Sequence, residues 1–257
     1  TALASSNIAT TTATLSWTDS GSNPTNGYDV YYSTTNTAPL VGTTPTVNNH
    51  TASPLNATGL TASSTYYWWV RSDCGAETST WTSGGSFVTL CNSVSTFPFV
   101  ESFEGITSGI PVCWGLAGTT SNGSYNFSSF ATGQTGRGVR FNSYINPNGL
   151  TGELTTPILD LSSLTAAELK FQFKNPDGGN FQVLISSNGG TTYTSLGTGL
   201  TGQTEWLQKT YNITSYISSN VKIKFVGTSN YGDADAYIYL DEIKVQAGCP
   251  TGVWVGT

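Results

Sequence analysis

The sequence predicts an all-β fold in two domains. Thr, Tyr, Val and Trp, which favour strands, are frequent, and the 29 Gly and 10 Pro mark many turns. No stretch shows the 3.6-residue periodicity of a long amphipathic helix. A chain of 257 residues is long enough for two domains, each with a core of its own.

The composition excludes several classes of partner. Only 9% of the residues are charged, and the formal net charge is −6 without any basic run. We therefore expect no binding to nucleic acid or to an anionic membrane. No apolar run approaches the roughly 18 residues that a membrane span needs. The sequence starts at Thr1 and contains no Met, as expected of a mature or excised segment.

Residues 1–90 predict a first domain of about seven short strands. Their regular spacing, with turn clusters such as 19–27 between them, is typical of a β-sandwich. The run 47–51, which contains the single histidine, His50, is expected to be a surface loop. The strand candidates are 11–17, 28–32, 39–41, 53–58, 66–71 and 85–89.

A second, larger sandwich is predicted over residues 99–248, after a short linker at 91–98. Runs of β-branched and aromatic residues bounded by Gly, Asn and Asp define its strands. The candidates are 139–141, 152–155, 167–174, 180–186, 204–211, 221–226 and 236–245.

The last of these strands, 236–245, is the one around which the rest of the second domain is expected to pack. Regular alternation assigns its side chains to two faces, one with Tyr237, Tyr239, Asp241, Ile243 and Val245 and the other with Ile238 and Leu240. A carboxylate in such an apolar row must be paired, protonated or bound to a cation.

The first domain resembles a fibronectin type III domain over its whole length. The matching features are Trp17, the strand Tyr28-x-Val30-Tyr31, and the corner formed by Leu60, Tyr66, Trp68 and Val70. The resemblance implies that the Tyr66 hydroxyl forms the tyrosine corner.

Residues 97–247 resemble the jelly-roll modules of the cleaved-adhesin and MAM-like group. The motifs occur in the order Glu101-Ser102-Phe103-Glu104, Ile110-Pro111-x-Cys113-Trp114, Thr156-Pro157-Ile158-Leu159-Asp160-Leu161, Phe181-x-Val183-x-Ile185-Ser186-x-Asn188-Gly189-Gly190, Trp206 and Tyr239-Leu240-Asp241-Glu242-Ile243. The resemblance implies a secreted, multidomain cell-surface protein of Bacteroidetes. Residues 249–257 look like the start of another fibronectin unit, so neighbouring repeats of the same chain are expected partners.

Strand geometry limits how the four cysteines can pair. Cys74 and Cys91 are expected at opposite ends of a hairpin, on the order of 20 Å apart, whereas a disulfide needs Cα atoms within about 7 Å. We therefore predict a Cys91–Cys113 disulfide. Cys74 would pair with a cysteine that precedes the domain in a longer chain, as Cys249 precedes the next unit.

A structural Ca²⁺ is the first candidate ligand. In related jelly rolls the first and last strands pair, which would bring Glu101 or Glu104 close to Asp241, and carboxylates with backbone carbonyls suit Ca²⁺. Asp177, Asp233 and Asp235 could join this site. Alternatively these are solvated loop acids, and Asp241 accepts a hydrogen bond from an amide or a hydroxyl.

Aromatic residues in or near loops are candidates for sugar stacking, because aromatic platforms with a few polar groups bind sugars. The alternative for each of them is core packing. The candidates are Trp114, Tyr125, Phe127, Tyr144, Trp206 and Tyr231, with Arg137 and Arg140 as hydrogen-bond donors.

No motif supports catalysis. The chain lacks Gly-x-Ser-x-Gly, His-Glu-x-x-His and a Gly-rich phosphate loop. Two carboxylates would suffice for a glycosidase, but Glu153, Glu168 and Glu205 stand in no distinctive setting.

The sequence thus predicts a non-enzymatic extracellular adhesion module pair that binds a cell-surface or matrix glycan or protein. One alternative is a carbohydrate-binding module that tethers a catalytic domain to polysaccharide. A second alternative is a passive stalk or filament subunit.

Overall fold

The computed structural model describes residues 2–18, 21, 24–119, 126–144, 146–231 and 237–249. The chain divides into two compact units, Thr1–Asn92 and Ser93–Thr257. Both units are built from antiparallel strands, which confirms the all-β fold class. Among the described residues, the one helical element is a 3₁₀ turn at Thr214–Tyr216.

The first unit is a sandwich of a three-stranded and a four-stranded sheet. Its strands are β1 (Leu3–Ser6), β2 (Ala13–Trp17), β3 (Gly27–Ser33), β4 (Val47–His50), β5 (Leu55–Ala57), β6 (Thr65–Asp73) and β7 (Thr82–Val88). The strand orders are β1-β2-β5 and β4-β3-β6-β7. Leu15 and Trp68 are fully buried in the core. The Tyr66 hydroxyl accepts a hydrogen bond from the Thr61 N–H at 2.9 Å, which is the tyrosine corner.

Two predictions for this unit were wrong: the strand at 39–41 and the surface loop at 47–51. Residues 39–41 form no strand, and the side chains of Leu40 and Val41 are 79% and 73% exposed. The partner of β3 is instead the polar run 47–50, with Val30 opposite Val47 and Tyr28 opposite His50. Pairing with β3 therefore determines which segment forms a strand here, and the local hydrophobicity of the segment does not.

The second unit is a jelly-roll sandwich of a six-stranded and a five-stranded sheet. Its strands are β8 (Phe99–Glu101), β9 (Gly115–Gly118), β10 (Ser128–Phe130), β11 (Gly138–Asn142), β12 (Thr151–Thr155), β13 (Ala167–Asn175), β14 (Asn180–Ser186), β15 (Thr194–Ser195), β16 (Gln203–Asn212), β17 (Lys222–Thr228) and β18 (Tyr237–Ala247). The six-stranded sheet has the order β10-β11-β18-β13-β16, with β8 also paired to β18, and the other has the order β15-β14-β17-β12-β9.

Strand β18 lies at the centre of the six-stranded sheet. It pairs with β13 along one side, and with β11 and then β8 along the other. Between the two sheets, tightly packed phenylalanine rings fill the core, as in the contact of Phe171 with Phe225 at 5.3 Å between ring centres. The central position of β18 fixes its backbone on both sides.

A β-bulge interrupts β18 and changes which side chains face the core. The pairing to β13 shifts between Lys170–Lys244 and Gln172–Asp241, so the β18 segment contains one extra residue. Glu242, within this segment, has a φ of 49°. The predicted alternation was therefore wrong: Ile238 and Leu240 share the core with Ile243 and Val245.

No helix among the described residues is both long and apolar enough to cross a membrane.

Candidate functional site

The bulge of β18 buries the Asp241 carboxylate. Asp241 has no exposed surface. Its Oδ2 accepts hydrogen bonds from the Gln134 N–H at 2.8 Å and the Thr135 N–H at 3.3 Å, and its Oδ1 accepts one from the Glu242 N–H at 2.7 Å. The carboxylate thus holds the segment 133–137 against β18.

Burial raises the pKa of Asp241 to about 6. The three backbone N–H donors oppose this rise, and the neighbouring Glu242 carboxylate adds to it. Burial dominates because it removes water from the charged form. Among the described residues, no cationic side chain forms an ion pair with Asp241.

Glu104 binds the same segment. Its Oε1 accepts a hydrogen bond from the Arg137 N–H at 3.0 Å. A Cβ atom at Gly133 would lie 2.5 Å from Asp241 Oδ2, and one at Gly136 would collide with the Glu104 carboxylate. The segment can therefore approach both carboxylates only because glycine occupies these two positions.

Glu101 lies on β8 opposite Ile243 of β18. Its Oε1 accepts a hydrogen bond from the Phe103 N–H at 2.7 Å, and burial raises the pKa of its carboxyl group. Pairing of the first and last strands of the unit thus places Glu101 two residues along β18 from Asp241.

Asp177 lies elsewhere. Its Oδ2 accepts a hydrogen bond from the Tyr237 N–H at 3.3 Å, four residues from Asp241 and so about 13 Å along the strand. Asp233 and Asp235 lie outside the described residues. Within the part of the chain that the structure describes, no three His, Cys, Asp or Glu side chains converge as a metal site.

Cys91 and Cys113 are both disulfide-bonded. Cys74 and Cys249 carry free thiols and are exposed.

The outer face of the six-stranded sheet carries a cluster of aromatic and cationic side chains, here called the aromatic surface. All of its members are partly exposed. The ring centres of Tyr239 lie 5.3 Å from Phe130 and 6.3 Å from Trp206. The aromatic surface consists of Phe130, Arg140, Lys174, Trp206, Tyr237 and Tyr239.

Two cations flank Tyr239 on this surface. Arg140 on β11 and Lys174 on β13 are its cross-strand partners. The Arg140 guanidinium carbon lies 4.3 Å from the centre of the Phe130 ring and 4.7 Å from that of Tyr237, and Lys174 Nζ lies 6.0 Å from the centre of Tyr239. Neither cation has an ion-pair partner among the described residues.

A polar groove of about 370 Å³ continues the aromatic surface along the same strands. Gln172 precedes Lys174 by one outward position on β13, Gln208 follows Trp206 by one outward position on β16, and the two glutamines lie opposite each other. The lining side chains include Val100, Lys170, Gln172, Gln208, Glu242 and Lys244. Aromatic rings and hydrogen-bonding groups thus share one face of the sheet.

The other predicted ligand residues are not members of the aromatic surface. Tyr144 and Tyr231 stack edge to face at 5.9 Å and are 46% and 38% exposed, in the loops after β11 and β17. Trp114 and Phe127 belong to the core, so the proposal of ligand contact is wrong for both. Tyr125 lies outside the described residues.

Arg137 has a structural role. Its Nε donates to the Ile106 carbonyl at 2.6 Å, and its Nη2 donates to the Thr107 carbonyl at 3.4 Å. Of the two predicted arginines, only Arg140 reaches the aromatic surface.

The residues predicted from the sequence do not include Phe130, Lys174, Tyr237 and Tyr239. The unbroken alternation assigned to 236–245 placed both tyrosines in a row with core residues. Outward-facing Lys174 could have been found, because it alternates with the apolar residues of β13.

Residues 1–85 match the family model of the fibronectin type III domain. No curated protein sequence matches the chain. Among solved structures, the K1 cleaved adhesin domain of Lys-gingipain from Porphyromonas gingivalis W83 is 23% identical, with a TM-score of 0.47, and the match covers 60% of this chain and 100% of that one.

Two other solved structures are similar at comparable coverage. The K3 cleaved adhesin domain of the same gingipain is 22% identical over 59% of this chain and 98% of that one, with a TM-score of 0.45. The family 11 carbohydrate-binding module from Clostridium thermocellum, in complex with a β-1,3-1,4-mixed-linked tetrasaccharide, is 14% identical over 58% and 94%, with a TM-score of 0.40. By the family match and its own sheet topology, the first unit is a fibronectin type III domain, and a jelly-roll sandwich follows it in the chain.

Proposed function

We propose that this chain is a non-enzymatic extracellular adhesion module that binds a glycan on the aromatic surface of its second unit. The observation that carries the proposal is the contiguous cluster of Trp206, Tyr239 and Phe130 on one outward sheet face, with their rings inclined to one another by 59° and 66°. Sugar rings stack on aromatic faces, while neighbouring polar groups fix their orientation. The polar groove beside the rings supplies such groups.

An extracellular location is supported by the bonded cysteines. Disulfides persist in oxidising compartments and are rare in the cytosol. Cys91 and Cys113 are both oxidised. Only 9% of the residues are charged, so the polar surface consists mainly of Ser, Thr and Asn side chains.

Binding of the whole chain to a broad glycan array, followed by calorimetry on each positive glycan, tests the proposal. Trp206→Ala and Tyr239→Ala are expected to weaken binding by about tenfold or more, since truncating a central aromatic contact costs over 1 kcal/mol. Trp81→Ala is the matched control: it removes a tryptophan that also has a cation over its ring, Arg71 at 4.4 Å, in the first unit. Unchanged binding by both surface variants would contradict the proposal.

The same array separates the alternatives. A passive stalk binds no glycan in its folded state. A module that tethers a catalytic domain to polysaccharide binds polymers of the substrate that this domain degrades, whereas an adhesin binds host-cell or matrix glycans.

We further propose that Glu104 and Asp241, with Glu101 nearby, hold a structural Ca²⁺. Asp241 is buried without a cationic partner among the described residues, and two glycines bring the backbone of 133–137 against the carboxylates. Ca²⁺ prefers carboxylate and backbone carbonyl oxygens, and Asp241, Glu104 and Glu101 supply carboxylate oxygens. Bound Ca²⁺ would compensate the buried charge and link the segment to β8 and β18.

Thermal unfolding in Ca²⁺ and in chelator tests this site. Ligand binding to the native state stabilises it by about 2.7 kcal/mol at 100 times the dissociation constant, so chelator should lower the melting temperature of the second unit. Asp241→Asn and Glu104→Gln should abolish the difference. Asp177→Asn is the control, because Asp177 contacts β18 at Tyr237, about 13 Å from Asp241. This variant should retain the difference in melting temperature between Ca²⁺ and chelator. Equal melting of the wild type in both conditions would exclude the site.

A further inference from the structure

We propose that the aromatic surface binds a uronic acid, a sugar whose ring bears a carboxylate, and that Arg140 and Lys174 recognise this carboxylate. The inference rests on the proposed glycan-binding function and adds the chemical class of the glycan. It follows from two cations whose charge no described acidic side chain compensates.

Arg140 is held by rings and leaves its donors available. Its guanidinium lies over both Phe130 and Tyr237, at 4.3 and 4.7 Å from the ring centres. A guanidinium has five N–H donors in its plane. None of these donates a hydrogen bond to another described residue. A planar carboxylate can accept two of them at once, which is the geometry that favours arginine over lysine in such sites.

Lys174 provides the second charge on the other side of Tyr239. Arg140 and Lys174 lie opposite Tyr239 on the two flanking strands, so their Cα atoms are about 10 Å apart. A sugar ring stacked on Tyr239 or Trp206 carries its carboxylate at the ring edge. Such a carboxylate can reach one of the two cations while the ring stays on the aromatic face.

The other two lysines on this sheet face, Lys170 and Lys244, each have an acidic neighbour. Lys170 forms an ion pair with Glu168 at 2.6 Å, and Lys244 lowers the pKa of the same Glu168 carboxyl group. With a net charge of −6, the chain presents no general attraction for anions. Two cations without an acidic neighbour at the aromatic end therefore favour an anionic partner, because a carboxylate forms charge-assisted hydrogen bonds that a neutral sugar hydroxyl cannot form.

The test compares acidic oligosaccharides with their own neutral forms. Hexamers of galacturonic acid and of mannuronic acid, and the same hexamers after reduction of their carboxyl groups, are titrated into the whole chain. We expect at least one acidic hexamer to bind about tenfold or more tightly than its reduced form.

Arg140→Met and Lys174→Met should each weaken binding of the acidic hexamer by a larger factor than binding of the reduced hexamer, and so remove most of that preference. Lys209→Met is the matched control, because Lys209 also lies over a ring, Tyr211 at 5.3 Å, but opposite the core residue Phe171. Circular dichroism and thermal unfolding verify that each variant is folded.

Equal affinity for acidic and reduced hexamers would overturn the inference but leave glycan binding intact. Tighter binding of a sulfated dextran through Arg140 would overturn it in favour of sulfate. Folded protein that binds none of these ligands and no glycan on the array would contradict both the inference and the proposed function.

Discussion

Asp29 and Asp241 are both buried carboxylates, but their charges are compensated differently. Asp29 forms an ion pair with Arg71 at 2.9 Å. Asp241 accepts hydrogen bonds from backbone N–H groups alone, as far as the described residues go, and burial raises its pKa from 3.8 to about 6. Asp241 is therefore a site where protonation couples to the stability of the second unit.

Metal-free protein should lose stability as the pH rises from about 4 to about 6. The native state keeps the Asp241 proton up to about pH 6, whereas the unfolded chain releases it near its ordinary value, so deprotonation favours unfolding. The full loss is up to about 3 kcal/mol, at 1.36 kcal/mol per pKa unit. Denaturant unfolding of the second unit in chelator measures it.

Asp241→Asn should reduce this pH dependence, because the amide does not titrate, and burial of Glu101 accounts for part of the remainder. Glu205→Gln, which changes an exposed carboxylate of the same unit, should leave it unchanged. An unaltered slope in Asp241→Asn would show that another group is responsible.

The bulge of β18 decides which side chains reach the core and which reach the aromatic surface. Its backbone requires a φ of 49° at Glu242, a region that costs a β-branched residue much more than glycine. Both Glu242→Gly and Glu242→Val remove the carboxylate that accepts a hydrogen bond from Thr135 Oγ1. Any difference between the two variants therefore reports the backbone.

We expect Glu242→Gly to be more stable than Glu242→Val by about 1–3 kcal/mol in denaturant unfolding. The same pair of substitutions at Lys244 should give the opposite order, because valine is favoured over glycine at an ordinary strand position. Valine as the more stable choice at both positions would mean that the bulge is absent in solution.

Long alternating strands could be predicted from the sequence, as in 167–174 and 180–186, because inward and outward residues differ clearly in polarity. The bulge could not be predicted from the sequence, because Leu240, Asp241 and Ile243 are equally compatible with an unbroken alternating strand. Without the one-residue shift, the alternation grouped Tyr237 and Tyr239 with core residues, and neither was therefore predicted as a ligand-binding residue. Short strands such as β8 and β15 contain too few residues for any period to show.

The contacts of Asp241 and Glu104 with the segment 133–137 could not be predicted from the sequence either. Gly133 and Gly136 lie in a Gly-rich stretch without a distinctive pattern. Their importance follows from close approach to Asp241 and Glu104, which are distant in sequence. Strand pairing of the unit's ends suggested Glu101 and Glu104 as neighbours of Asp241, but gave no information on the loop between them.

The two units have separate hydrophobic cores, and no residue that the structure describes belongs to both. A domain with its own core can unfold as its own cooperative unit. Leu15 in the first core and Ile223 in the second are both fully buried. Truncating either side chain to alanine should cost about 2–5 kcal/mol, from lost burial and the cavity left behind.

Differential scanning calorimetry of the whole chain should therefore resolve two transitions, each sensitive to one variant. Leu15→Ala should lower only the transition of the first unit, by roughly 8 °C or more, because about 4–8 °C is expected per kcal/mol in a domain of this size. Ile223→Ala should lower only the other, by roughly 4 °C or more, because a larger domain shifts less per kcal/mol. If each variant shifted both transitions equally, the two cores would unfold as one cooperative body, and glycan binding by the second unit would then depend on the integrity of the first.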